Sequence, residues 1–286
     1  MDQGDAVPIA ELLEERRFLL DVAHWMLGSP SAAEHVVDET YRRWYGLSET
    51  VRRQIVVPRS WLTKTAGGIC LDRLASPGRG ATEGEKDHRR QPALGALESL
   101  SPDERAAFVL RVFGMAPHAI ADVVGRTEPE VAELAARARR WLHAQHSRPT
   151  GPHQHDAVAR AVHRACVAED GDLLASLLCS DVTAFFDGGG KVRALTGPVH
   201  GSRPVADSLL TLLAGHSRTT LTTRSVNSRT GLVARYGRQV AAVIGLDVTD
   251  GRVAQVWVML NPDKLRAWND PALGRSRKGN PNRDTR

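Results

Sequence analysis

Residues 101–142, SPDERAAFVLRVFGMAPHAIADVVGRTEPEVAELAARARRWL, constrain the fold more than any other stretch. Ser101 and Glu104 stand in capping-box spacing with Pro102 at the first helical position, so a helix starts there. Ala107, Leu110 and Val112 give it an apolar side. Gly114 can end that helix and Pro117 can open the next, in which Ile120, Val123 and Val124 face inward. Gly125 supplies a turn, and Thr127 with Glu130 forms a second capping box. Val131, Leu134, Ala135, Ala138 and Leu142 then recur at helical spacing as a buried stripe. Three short helices in this order form a helix-turn-helix, a motif that sets one helix into a DNA groove. The same spacing also fits an ordinary three-helix packing unit, with Arg137, Arg139 and Arg140 as solvated cations suited to a helix C-terminus.

Further short patterns narrow the choice. Ala96-Leu97-Glu98, Leu100 to Leu110, Ile120-Ala121, Gly125-Arg126-Thr127 and Ala135 to Arg140 resemble region 4, the C-terminal DNA-binding domain of extracytoplasmic-function sigma factors. Upstream, Met26-Leu27-Gly28-Ser29, Ala33-Glu34, Val36 to Thr40 and Arg43-Trp44 resemble sigma region 2, continued by Pro58 to Thr63 and Cys70 to Leu74. Near the end, Asp187-Gly188-Gly189-Gly190-Lys191 and Asn261-Pro262-Asp263-Lys264-Leu265 resemble the sigma subgroup with a fused SnoaL-like domain.

The resemblance implies a non-enzymatic protein that binds core RNA polymerase and directs it to promoter DNA. Region 2 would grip polymerase and melt the −10 element, and region 4 would read the −35 element. It implies DNA contacts for Arg126, Thr127, Arg137, Arg139, Arg140, Trp44, Trp61 and Lys64, the tryptophans through stacking on unpaired bases. Their alternative role is core packing. Asp38, Glu39, Arg42 and Arg43 would meet polymerase, or simply form a solvated helix face. Asp187, Lys191, Asn261, Asp263 and Lys264 would carry regulation between the fused domain and the sigma regions, or serve as a turn and a solvated cap.

Three features cut against promoter reading. Where the family usually has small residues followed by Arg-Gln, the second helix of the motif opens with Glu128, Pro129, Glu130, Val131, Ala132 and Glu133. The N-terminal residues of a recognition helix meet base edges. Arginine and glutamine read bases by bidentate bonds worth about 1–3 kcal/mol each, whereas three glutamates approach phosphates of like sign. Gly67 and Gly68 occupy helix positions where the family often carries larger or basic residues. The formal charge of +5 is also unevenly spread. Residues 1–150 hold 20 basic and 21 acidic side chains, net −1, while residues 271–286 hold 5 and 1, net +4. Affinity for DNA rests largely on phosphate neutralisation, so the sigma-like half is a weak DNA binder alone.

Length and composition fit several domains. At 286 residues the chain accommodates two or three. The boundaries expected are a region 2-like helical domain over 8–75, a flexible linker over 76–93, a region 4-like domain over 94–145, a linker over 146–156, an α+β domain over 157–268 and a disordered basic tail over 269–286. In the α+β part, helices are expected at 157–168, 171–178 and 203–214. Strands are expected at 182–187, 219–226, 232–236, 239–248 and 252–260, with Asp250-Gly251 as a hairpin turn. Helices on a curved antiparallel sheet form a SnoaL-like cone enclosing a pocket for a possible small ligand. The fold class is therefore multidomain, two all-α sigma-type domains followed by an α+β cone.

Asp187, Asp247, Tyr236, His163 and His200 are acid–base candidates by type alone. The GGGK run lacks the flanks of a phosphate loop. Cys70, Cys166 and Cys179 show no metal-ligand spacing, suit a reducing cytoplasm and leave no cofactor expected. The polar N-terminus is no signal peptide, and no run of about 20 apolar residues suggests a membrane span. Three readings remain: a sigma factor tuned by its fused domain; a degenerate sigma-like regulator that binds polymerase or another regulatory protein without reading promoters; and a small-molecule enzyme using the cone.

Overall fold

A computed structural model describes residues 9–76, 92–146, 150–188, 197–214 and 218–269. Two compact units divide these residues, α1 to α8 forming the first and the elements from α9 onward the second.

The first unit is all helical: α1 (Ile9–Leu27), α2 (Pro30–Gly46), α3 (Glu49–Gln54), α4 (Pro58–Ala75), α5 (Pro92–Glu98), α6 (Pro102–Val112), α7 (Pro117–Val124) and α8 (Glu128–His146). Prolines stand at the first turn of α2, α4, α6 and α7, where the missing N–H is no loss. Ser29 caps α2 through the Ala32 N–H. The capping box of α6 is complete: Ser101 accepts from the Glu104 N–H, and the Glu104 carboxylate accepts from the Ser101 N–H. Gly125 ends α7 at φ 68°, a left-handed conformation that favours glycine. The α8 stripe of Val131, Leu134, Ala135, Ala138 and Leu142 is buried as its spacing predicts.

The sequence suggests two helical domains joined by a tether, but α6 and α7 pack directly against α1 and α4. Arg105 of α6 is 4% exposed and donates from Nε to the Trp25 carbonyl of α1 at 3.4 Å. Phe18 and Phe113 meet edge to face at 5.7 Å. Apolar faces on both helix groups drive this contact, and nothing in local spacing shows that they are partners.

The second unit contains α9 (Pro152–Val167), α10 (Gly171–Ser176), β1 (Leu178–Asp187), β2 (Val199–His200), α11 (Ser202–Leu213), β3 (Thr219–Val226), β4 (Arg229–Tyr236), β5 (Gln239–Thr249), β6 (Arg252–Met259) and α12 (Pro262–Asn269). The sheet runs β2-β1-β6-β5-β4-β3. The sheet is not wholly antiparallel as expected: among the described strands β1 and β6 pair in parallel and the other neighbours antiparallel. Asp250 and Gly251, at φ 50° and 79°, make the expected hairpin turn between β5 and β6. One face of the sheet carries Phe186, Leu232, Ile244 and Val256 in a core with α9, α10 and α11. The other face gathers Val226, Val233, Val240 and Val243 under Leu265 of α12.

The expected linker 146–156 ends earlier than its composition suggests, because Pro152 opens α9. His155, inside that span, is buried and its Nε2 lies 3.0 Å from the Leu246 carbonyl. Further along α9, the Thr230 hydroxyl donates to Asp156, and His163 Nε2 lies 3.0 Å from the Leu221 carbonyl. These bonds hold α9 across the sheet. Most of the 76–93 linker and of the 269–286 tail lies outside the described residues.

Candidate nucleic-acid interface

The α7–turn–α8 unit presents the start of α8 outward. Arg126, Thr127, Glu128, Pro129, Glu130, Ala132 and Glu133 are all exposed, while Val131 points into the core. Glu130 is committed to the helix end: its carboxylate accepts from both the Thr127 N–H and hydroxyl at 2.8 Å. These bonds hold its carboxyl below the usual range, the backbone N–H first. Of the three acids that seemed to oppose DNA, one is thus a cap. Glu128 and Glu133 remain on the exposed face.

The cationic candidates are neutralised by carboxylates of the same chain. Lys64 of α4 donates to Asp122 of α7 at 2.7 Å. Arg126 donates to Asp103 at 3.2 Å, and Arg137 to Glu104 at 2.9 Å. The Arg137 bond, with help from Ser101, holds the Glu104 carboxyl below its ordinary value. Lys64 does the same for Asp122. Arg139 is half-buried and Arg140 exposed. The sequence reading missed Asp103, Glu104 and Asp122 as partners, since each pair joins separate elements 23 to 58 residues apart and no spacing rule reaches that far.

Trp44 and Trp61 come together from α2 and α4, ring centroids 5.2 Å apart and tilted by 56°. Both are half-buried rather than sealed in the core, so part of each ring faces solvent. On α2, Arg43 donates to Glu39 at 3.0 Å, and Arg42 also pairs with Glu39. Asp38 is exposed beside them. Asp38, Glu39, Arg42 and Arg43 therefore form one charged patch on a single helix.

In the second unit the two short motifs meet. Lys264 of α12 donates to Asp187 at the end of β1 at 2.8 Å, and the Leu260 N–H donates to the Asp187 carbonyl. The Asn261 side chain accepts from the Asp263 N–H, starting α12 as a helix cap does. Lys191 lies outside the described residues.

The acid–base candidates do not converge. His163 is bound to a strand carbonyl, and Tyr236 is 46% exposed. Asp247 accepts from the Trp257 indole N–H at 2.8 Å. His200, Thr183, Gln255 and Asp247 share one row across β2, β1, β6 and β5. Three strand spacings of about 4.8 Å put His200 and Asp247 roughly 14 Å apart, too far to share a proton. The sheet face under α9 and α11 is filled by apolar side chains. Among the described residues no cluster of His, Cys, Asp or Glu could hold a metal ion, and no helix is long and apolar enough to cross a membrane.

Comparison with known proteins fits this division. Residues 12–80 match Sigma-70 region 2, and residues 90–142 match Sigma-70 region 4. The ECF RNA polymerase sigma factor SigJ of Mycobacterium tuberculosis is 31% identical over 293 residues, covering 90% of this chain and 93% of that protein. The probable ECF RNA polymerase sigma factor SigI of the same species is 29% identical, covering 93% and 98%. The crystal structure of Mycobacterium tuberculosis SigJ matches with a TM-score of 0.39 and 28% identity, over 92% of this chain and 99% of that one.

Proposed function

The chain belongs to the extracytoplasmic-function RNA polymerase sigma factors, which initiate transcription by bringing core polymerase to promoter DNA, and we infer that its DNA-facing surface joins the start of α8 to the Trp44–Trp61 pair. The exposed first turn of α8, set on a buried apolar stripe, carries this reading. It leaves side chains free to enter a groove while the helix stays anchored. Arg126, Thr127, Arg137, Arg139 and Arg140 serve phosphates and base edges there. Trp44, Trp61 and Lys64 serve the melted strand, where aromatic faces stack on unpaired bases. Asp38, Glu39, Arg42 and Arg43 form the patch offered to polymerase, in the cytoplasm where polymerase works.

The second unit acts as a regulator. Its Asp187–Lys264 pair ties together the two segments that the sequence marks for regulation, with Asn261 and Asp263 fixing the start of α12. The packed apolar core favours a regulatory contact over a large ligand cavity.

Glu128 and Glu133 on the exposed face favour a second reading, a sigma-like regulator that binds polymerase or another regulatory protein without reading promoters. Pull-down with core polymerase, followed by run-off transcription on DNA upstream of the protein's own coding sequence, separates the two. Core binding with promoter-dependent transcripts is expected. Core binding with no transcript from any tested promoter would favour the regulator, and absence of core binding would refute both.

A further inference from the structure

We propose that the β3 edge of the second unit is a docking site for an extended, acid-rich segment of another protein, which adds to the sheet as a further strand. The proposal stands on the second unit alone and does not depend on promoter reading.

The edge is open. β3 is an edge strand, and its eight residues pair with β4 without a bulge. Asn227 and Ser228, at φ 50° and 67°, form a two-residue turn, so Val226 and Arg229 exchange both backbone bonds. Every second residue of β3 back from Val226 therefore turns its N–H and C=O to β4, and Thr219, Leu221, Thr223 and Ser225 turn theirs outward. Of these outward groups only the Leu221 carbonyl has a partner among the described residues, His163 of α9. β3 has no proline, and its one charged side chain is Arg224. A long edge left in this state is a template for another strand.

The surroundings are basic on both faces. Residues 218–238 hold five arginines and no acid. Arg218 lies over the Tyr236 ring at 5.3 Å and Arg235 donates to the Arg238 carbonyl, and among the described residues none of the five meets a carboxylate. Arg224 shares the α12 face of the sheet with Val226, and Arg235 lies on that face of β4. On the other face α9 runs beside the edge: Asp156 holds Thr230, opposite Ser225, and His163 reaches Leu221. Seven helix residues rise about 10 Å and four strand residues about 13 Å, so helix and edge stay in step. Exposed Arg160 stands between the two contacts.

These features select the occupant. A strand edge offers donors and acceptors in turn, and another polypeptide backbone supplies both. A phosphate backbone supplies acceptors alone and would leave the outward carbonyls facing anions. A second copy of this chain would bring two sets of the same arginines together. A foreign acid-rich strand instead places carboxylates beside Arg224 on one face or Arg160 on the other.

The test uses the full chain and the fluorescence anisotropy of a labelled peptide of alternating glutamate and valine, which the parent should bind. The same peptide N-methylated throughout keeps its charge but loses its donors, so it should not bind. Thr223→Pro removes an outward N–H and none of the β3–β4 bonds, so it should fold and bind about tenfold more weakly. Arg224→Gln and Arg160→Gln should each weaken binding by up to about fivefold. Hydrogen exchange of β4 amides checks that each variant keeps the sheet. No binding by the parent overturns the proposal, as does equal binding of the N-methylated peptide, which needs no variant. Short duplex DNA bound more tightly than the peptide through the same arginines would assign the surface to nucleic acid and overturn it. Self-association of the parent that is lost in Thr223→Pro would assign the edge to a second copy and overturn it too.

Discussion

Arg105 provides the sharpest test of how the helical unit is balanced. The residue is 4% exposed at the contact of α6 with α1, where its Nε donates one long hydrogen bond to the Trp25 carbonyl. Nη2 is buried with no acceptor among the described residues. Burial holds its pKa below the usual arginine value, partly offset by Glu98 and Cys70. An arginine that remains charged there carries a desolvation penalty with little return. An unsatisfied buried donor costs about 1–3 kcal/mol. Arg105→Met keeps the stem and removes the charge; exchanging buried charged groups for well-packed apolar ones is often neutral or stabilising by about 1–4 kcal/mol. Allowing for the lost bond to Trp25, the net gain should be about 1–3 kcal/mol.

Hydrogen exchange is the suitable assay, because it reads α1 and α6 amides without requiring the whole chain to unfold as one unit. The expected gain corresponds to roughly 5- to 150-fold slower exchange, at about 1.4 kcal/mol per factor of ten. Arg105→Ala, which removes the stem as well, should instead speed exchange. Faster exchange in Arg105→Met would refute the reasoning, since it would mean that the guanidinium contributes more than its burial costs.

Other outcomes follow from single groups. The Glu104 carboxyl has a folded pKa below its unfolded value near 4.3. Its contribution is therefore full above that value and lost as pH falls through the folded one. Protection of α6 should be flat from about pH 5 to 8 and fall below about pH 4; an identical acid limb in Glu104→Gln would assign the loss to other carboxylates. Phe186, 1% exposed in the sheet–helix core, should cost about 3–5 kcal/mol as Phe186→Ala in urea unfolding, and a loss under about 1.5 kcal/mol would mean the site collapses around the gap. Burial pushes the Cys70 and Cys166 thiols up to about 12, while Cys179 is raised less and is half-buried. At pH 8 iodoacetamide should modify Cys179 first, and early mass shifts at Cys70 would contradict the buried placement of α4.

Elements governed by neighbours in sequence were legible. The Ser101 capping box, the Gly125 turn, the α8 stripe and the Asp250-Gly251 hairpin all follow from local spacing. Strands β3 to β6 lie within a few residues of their expected bounds, whereas the two-residue β2 was not expected, and β1 begins at Leu178 because Leu178 and Val182 both point into the helix-covered core. What escaped was everything set by distant partners. His155 looked like linker because QHSRPTGPHQHD is polar, and its partner is a strand carbonyl 91 residues away. Gly67 read only as a departure from the family's larger or basic residues, and its packing role appears only when Leu110 and Val123 lie against it. Glu104 read only as a capping residue and Asp122 carried no reading, yet both are partners of the very cations expected to bind DNA.

That pairing changes what salt should do. A free cation that reaches a phosphate displaces about 0.9 of a counterion condensed on the DNA. Lys64, Arg126 and Arg137 are each already held by a carboxylate, so reaching DNA exchanges one anionic partner for another. Salt weakens the internal pair as well as the new contact, and the two dependences partly cancel. Exposed pairs of this kind hold weakly, so they set the slope more than the affinity. The slope of log affinity against log salt should therefore be shallower than about 0.9 per phosphate contact. Asp103→Asn, Glu104→Gln and Asp122→Asn together should steepen it towards that value, by up to about 2.7 for three freed cations. Filter binding of the full chain with core polymerase across 50–200 mM salt reads the difference. An unchanged slope in the triple variant would mean that Lys64, Arg126 and Arg137 do not leave their carboxylates for DNA.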